Sequence, residues 1–253
     1  MAHTVVDFSA RNERAIVVIS LAAVVAAALF ATIRLGDRAM MSAMDGETGA
    51  AFATLLFAMW WAMMMAMMLP SALPAILTFA GVNHRLSARP HTSLPLIAFV
   101  GGYLAVWTGF SIAAVCLQLL LAEKVALDMM MASASTWVGG GLLLAAGLYQ
   151  ISPLKGACLH KCQAPLLYFA RHWRNGSLGA LQMGLSHGLY CVGCCWVLMG
   201  LLFYGGVMEP RWIVGLAIYV AVEKLVPVGN SLSRFAGLIL IGWSLFTVWH
   251  AFQ

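Results

Sequence analysis

Charge is what this sequence has least of. Only 9% of its 253 residues are Asp, Glu, Lys or Arg, where a soluble domain carries about a quarter. So few charges cannot cover a water-facing surface, which excludes an ordinary soluble protein and leaves little room for a separate soluble domain. Glycine loops of the P-loop or dinucleotide type are missing, as are Gly-x-Ser-x-Gly and His-Glu-x-x-His. Nucleotide-driven and hydrolytic chemistry therefore have no support. The formal net charge is +5, but the basic residues are dispersed at the ends of apolar runs, and no patch interleaves them with exposed aromatics. That speaks against nucleic acid as a partner. Six cysteines do not make a secreted disulfide framework, because three lie in one apolar run and two in a basic stretch.

What is abundant is apolar residues, 62% of the chain, gathered into runs of about the twenty residues that cross a bilayer. Seven are read: 15–33, 51–80, 94–122, 135–151, 178–207, 212–228 and 232–249. The polar lead 1–14 ahead of a span-length run favours a retained anchor over a cleaved signal peptide. Pro70 and Pro74 are expected to kink or split the second run. Gly101, Gly102, Ala105 and Gly109 in the third would allow close helix packing, and the fourth is rich in glycine at Gly139, Gly140, Gly141 and Gly147. With seven spans, ten of the 14 Lys and Arg fall on the side of the N-terminus and four on the other. This places the N-terminus in the cytoplasm and the C-terminus outside. The fold expected is an all-α polytopic transmembrane helix bundle, one integral membrane domain over 1–253. Residues 1–14 form a cytoplasmic lead and 152–177 a basic cytoplasmic loop. The lipid bilayer of a bacterial inner membrane is its first partner.

The chemistry concentrates in residues 186–200. Positions four apart share a helix face, so Met183, His187, Cys191, Cys195 and Met199 form one stripe, with Cys194 three residues from Cys191. All are soft or borderline metal ligands, thiolate and thioether being suited to Cu(I). Gly188 and Gly193 thin the same helix, so a neighbour or an ion could approach. One buried cysteine is commonly a small apolar residue; three within five residues, one turn after a histidine, favour a site. Cys158 and Cys162, with His160 between them, form a second pair. In a reducing compartment such a pair favours metal capture or redox duty over a structural disulfide, but it is only half a tetrahedral site. In the second run, Met63 and Met67 share a stripe with Met59, and Met64 with Met68. Such stripes are often packing and gain meaning only beside the thiol-rich helix. Glu223 and Lys224 are ionisable residues at membrane depth, which are costly there. Lys224 could snorkel, and Glu223 could carry a proton, bind a hard metal, or pair with Lys224 or Arg234. At 1.5 Å per residue, Cys191 lies about twenty ångströms from the start of its span. The two cysteine clusters are thus expected to be apart unless the connection between them bends.

Four segments resemble those of a family of bacterial integral membrane proteins described as metal-binding. They are Met-Trp-Trp-Ala-Met-Met-Met-Ala-Met-Met-Leu-Pro at 59–70, Leu-Lys-Gly-Ala-Cys-Leu-His-Lys-Cys-Gln-Ala-Pro at 154–165, Gly-Leu-Tyr-Cys-Val-Gly-Cys-Cys-Trp-Val-Leu-Met at 188–199, and Glu223-Lys224. One departure is Gln163, where a basic residue is expected; the cysteine pair is intact. The resemblance implies metal ligands at Cys158, Cys162, Cys191, Cys194 and Cys195. It names neither the metal nor the purpose of binding it.

The reading preferred from the residues is a membrane protein that binds a soft transition metal, most of all Cu(I), for transport, storage or delivery to a membrane metalloprotein or metallochaperone. Cys158 and Cys162 would collect the ion, the thiols and His187 hold it, and the methionines pass it on. Two alternatives stand beside it. A membrane thiol–disulfide oxidoreductase could use Cys191-x2-Cys194, though the adjacent Cys195 leaves an odd thiol. A structural or haem-associated subunit could use these residues for packing, with His187 as axial ligand. No catalytic residue is assigned.

Overall fold

The computed structural model describes residues 2–47, 49–86, 93–124 and 136–251, with side chains described from 15 onward except at 123 and 124. Arg11, Arg14, Arg89 and Lys124, which contribute to the expected orientation, lie outside the described side chains. Every described element is a helix: α1 Ala2–Met44, α2 Ala50–Leu86, α3 Leu94–Lys124, α4 Thr136–Gln150, α5 Pro153–Gln163, α6 Pro165–His172, α7 Gly176–Gly200, the single turn α8 Leu202–Gly205, α9 Pro210–Leu225 and α10 Gly229–Ala251. Among the described residues there is no strand.

Five stretches, within α1, α2, α3, α7–α8 and α10, are long and apolar enough to cross a membrane. The pair α4 and α5, bent by 64° at the break between them, makes up to six. The sequence leads to seven; the difference lies in α9, whose 16 residues span about 24 Å at 1.5 Å each, short of a ~30 Å hydrocarbon layer, and in the fourth run, whose 15-residue α4 reaches span length only when joined to the bent α5. The expected 152–177 loop is not irregular chain but α5 and α6. Local chemistry accounts for this. Ser152 caps α5 by accepting from the Lys155 N–H, and Pro153, Pro165 and Pro210 each sit in the first turn of a helix, where the missing N–H costs nothing. Pro70 and Pro74 do not split the second run, since α2 passes through both.

The core is built on α2 and α7. Leu56, Met59, Trp60, Met63, Met64, Met67, Met68 and Phe79 of α2 are buried, as are Met183, His187, Cys191, Cys194, Cys195 and Met199 of α7. Glycine sets how closely the helices meet. A Cβ at Gly102 would strike the Leu181 carbonyl, and one at Gly184 the Phe99 carbonyl, so α3 and α7 cross backbone to backbone as small residues permit. Gly147 and Gly237 do the same for α4 and α10. Gly101, Gly109 and Gly141, expected to help, face open space.

Candidate metal centre

The site begins with the α7 stripe. Its turns present Cys191 and Cys195 on one buried face, and both the Cys194 and Cys195 thiols donate to the Cys191 carbonyl, at 3.1 and 3.0 Å. This back-bonding one turn along the helix is what serine does; it orders the sulfurs without a partner helix. All six cysteines are free thiols.

Three other helices then close on these sulfurs. From α2, the Met68 Sδ comes within 3.9 Å of the Cys195 Sγ. From α3, the Tyr103 hydroxyl lies 3.1 Å from the Cys191 Sγ and 3.2 Å from the Met68 carbonyl. From α9, Lys224 reaches inward, its Nζ 3.0 Å from the Cys191 Sγ and 3.8 Å from the Cys195 Sγ. The same nitrogen is 3.8 Å from the Met68 Sδ and 3.3 Å from the Ser71 Oγ. Lys224 does not snorkel; it is buried with its charge set against sulfur.

Glu223, beside it in sequence, points elsewhere. Its partner is Lys155 of α5, at 2.7 Å with both side chains buried, not Lys224 or Arg234. Lys155 also donates to the Cys194 carbonyl at 2.9 Å. Gln150 and Tyr219 donate to the remaining carboxylate oxygen, at 3.5 and 3.1 Å, so this buried charge is fully answered. The carboxamide of Gln163, the position where a basic residue is expected, ties α5 to the end of α9 by donating to the Glu223 and Val226 carbonyls at 2.9 and 3.1 Å.

These bonds hold α5 against α7 and bring the two cysteine clusters together. The Cys158 sulfur lies over Gly193, 2.9 Å from where a Cβ would stand, and both Cys158 and Cys162 pack against the buried cluster that contains Cys191, Cys194 and Cys195. The expected separation is thus removed by the bend between α4 and α5. Of the lysines flanking the pair, Lys155 holds Glu223 and Lys161 lies 4.0 Å above the Tyr190 ring.

The remaining expected ligands are placed unevenly. His187 is buried one turn from Cys191, beside the rings of Phe99 and Tyr103 at 6.2 and 6.0 Å. Met199 is buried one turn beyond Cys195. Met183 lines a cavity of about 600 Å³ together with Ser186, Tyr190, Arg171, His172 and Arg174. Burial there raises the Tyr168 phenol above its ordinary range, so it remains a neutral hydroxyl on the same wall. Met63 and Met67 are core residues of α2; the thioether that meets the thiols is Met68, one helical step along. Tyr103, Ser71 and Lys155 also belong to the site and carry no metal-ligand signature in sequence.

Among the described residues, no three His, Cys, Asp or Glu side chains converge as a metal-holding group. What converges is two thiols and a thioether. Zinc sites are almost always four-coordinate, whereas Cu(I) takes two or three soft donors and is selected by thiolate and thioether. An ion bonded to two sulfurs at roughly 2.3 Å fits between atoms 3.9 Å apart, as the Cys195 and Met68 sulfurs are.

The sequence model of one protein family, described as "PpoB2: Copper chaperone", matches residues 57–247. That stretch contains every residue of this centre. No curated protein and no solved structure matches the chain.

Proposed function

This chain belongs to the PpoB2 copper chaperone family, and we propose that it is an integral membrane protein that takes up Cu(I) at its α5 thiols, holds it at the α7 thiols and delivers it. The observation that carries this reading is the convergence of Cys191, Cys195 and Met68, from two helices, on one buried point. Copper is cargo here, and the donor set is suited to cargo: enough soft sulfur to select Cu(I), too few ligands to trap it.

Packing sets the route. Cys158 and Cys162 are half-buried where the α7 thiols are buried, so the α5 pair receives the ion. Cys158 lies over Gly193, the neighbour of Cys194 on α7, and thiolate exchange from thiol to thiol moves a metal ion without ever leaving it unligated. Met199, one turn beyond Cys195, and Met63 and Met67, along α2 from Met68, extend soft donors in two directions from the centre. His187 and Met183 lead from Cys191 to the cavity beside α6. Delivery goes to a membrane metalloprotein or metallochaperone, since an ion held at this depth is handed over at the membrane. The membrane is the bacterial inner membrane. The N-terminus is cytoplasmic and the C-terminus outside, as the basic residues bias it.

The test is copper analysis of the full chain purified in detergent, reduced and kept free of oxygen. Stoichiometric Cu(I) is expected, lost on Cys191→Ser or Cys195→Ser. Cys158→Ser should retain the ion at equilibrium but load more slowly. Copper content unaffected by either inner substitution overturns the assignment.

A further inference from the structure

Among the described residues, Lys224 is the one buried cation whose place the copper route does not explain. Its neighbour Glu223 is held by Lys155, and among the described residues Lys224 itself forms no ion pair with a carboxylate. Instead its Nζ touches three sulfurs, those of Cys191, Cys195 and Met68, at 3.0, 3.8 and 3.8 Å. These are the same three atoms that make up the soft donor set. A metal ion sits about 2.3 Å from each sulfur it binds, which is inside the volume the ammonium fills.

We propose that Lys224 is a resident cation that holds the place of copper in the empty centre and competes with Cu(I) for the same sulfurs. This rests on the copper-binding reading above and adds how that site is regulated. Ammonium and Cu(I) are both monocations, and both are drawn by a thiolate in a site from which water is excluded. Loading requires the ammonium to withdraw. The Ser71 hydroxyl, 3.3 Å from Nζ on the next turn of α2, offers it an oxygen partner on one side of the sulfur pocket. Release is the reverse: the lysine returns as the ion leaves, so the vacated thiolate is never left buried without a positive partner. A carrier built in this way gives up its ion to an acceptor of modest affinity with no nucleotide to drive the step.

The test is competition between the full-length protein in detergent and a colorimetric Cu(I) chelator. Lys224→Leu, which brings no donor of its own, is expected to hold Cu(I) about tenfold or more tighter than the wild type and to release it correspondingly more slowly, because a charge-assisted contact no longer competes. Lys224→Gln, which keeps a polar head, should shift the same way by less. Weaker or unchanged retention in a folded variant shows the lysine to be a counter-ion or a packing residue and overturns the proposal. The wild type supplies a second measurement that requires no substitution. A structure of the Cu(I)-loaded protein should show the Lys224 Nζ withdrawn from all three sulfurs toward Ser71; an ammonium still in contact with them beside the bound ion overturns it. The two readings fail differently. If the wild type binds no Cu(I), or Cys191→Ser changes nothing, the copper centre itself is refuted. If copper binds through the thiols and neither measurement moves as stated, only the role of Lys224 falls.

Discussion

Lysine is among the residues least often found fully buried, yet Lys155 and Lys224 are 0% and 5% exposed. They answer their charges in different ways, and that difference sets the role proposed for each. Lys155 has a carboxylate at 2.7 Å and a backbone carbonyl at 2.9 Å. Removing one partner of such a pair leaves a bare charge in the interior and costs about 3–5 kcal/mol, whereas replacing both with well-packed apolar groups is often close to neutral. Lys155→Met or Glu223→Leu alone should therefore lower the unfolding midpoint in detergent sharply, and the double variant should recover most of the loss. Failure of the double variant to recover would mean that the ion pair is needed to place α5, beyond answering its own charge. Lys224, answered by sulfur, should show its effect in copper exchange rather than in unfolding.

At the scale of the element, α5 decides whether there is one cysteine cluster or two. It is short and polar enough to read as a loop, and Gly193 is what lets it lie flat on α7. Gly193→Ala would put a Cβ 2.9 Å from the Cys158 Sγ, closer than carbon and sulfur tolerate. The expected result is slower Cu(I) loading with the affinity of the inner pair unchanged, read by stopped-flow uptake beside equilibrium chelator competition. A loss of affinity equal to the loss of rate would place Cys158 among the resident ligands instead. Gly184→Ala acts through a different contact. Its Cβ would meet the Phe99 carbonyl, which cannot rotate away, and overpacking of that kind costs about 1–3 kcal/mol; thermal unfolding should report it while the thiols keep their chemistry.

These two elements also differ in how far their sequences disclose them. The α7 stripe is legible because helical periodicity alone puts Cys191 and Cys195 on one face, and Gly193 is legible as a place of close approach. The fold of α5 onto α7 is not. Its signal in sequence is a Ser-Pro start and a single lysine, and a lysine in a polar stretch reads as solvated until its carboxylate, 68 residues away, is known. Met68 belongs to the second of the two stripes that periodicity allows on α2, and the choice between them is not legible, because the face of a continuous methionine run is fixed only by what packs on it. Tyr103 and Ser71 give no sign of their role, since their polar groups acquire one only from neighbours on other helices.

For the molecule as a whole, architecture turns on whether α9 crosses the membrane, and this bears on how Lys224 reaches the thiols. Five apolar stretches pass by length and composition, the bent α4–α5 pair makes a sixth if it forms one span, and α9 would be the seventh. An odd number of crossings puts the two ends of the chain on opposite faces; an even number puts them on one. With the buried Lys155 and Lys224 set aside, eight of the other 12 Lys and Arg still fall on the side of the N-terminus when seven crossings are counted, which favours the first arrangement. At 16 residues, α9 can cross only if the bilayer thins or the residues flanking it carry the span, each at a modest cost per ångström of mismatch. The bundle gives reason to accept that cost, since α9 must carry both Glu223 to Lys155 and Lys224 to Cys191. Paired reporter fusions, an alkaline phosphatase active only outside and a fluorescent protein active only inside, should show the N-terminus within and the C-terminus without. Both ends reporting the same side would make α9 a re-entrant helix, with Lys224 entering the sulfur pocket from the face at which α9 starts and ends.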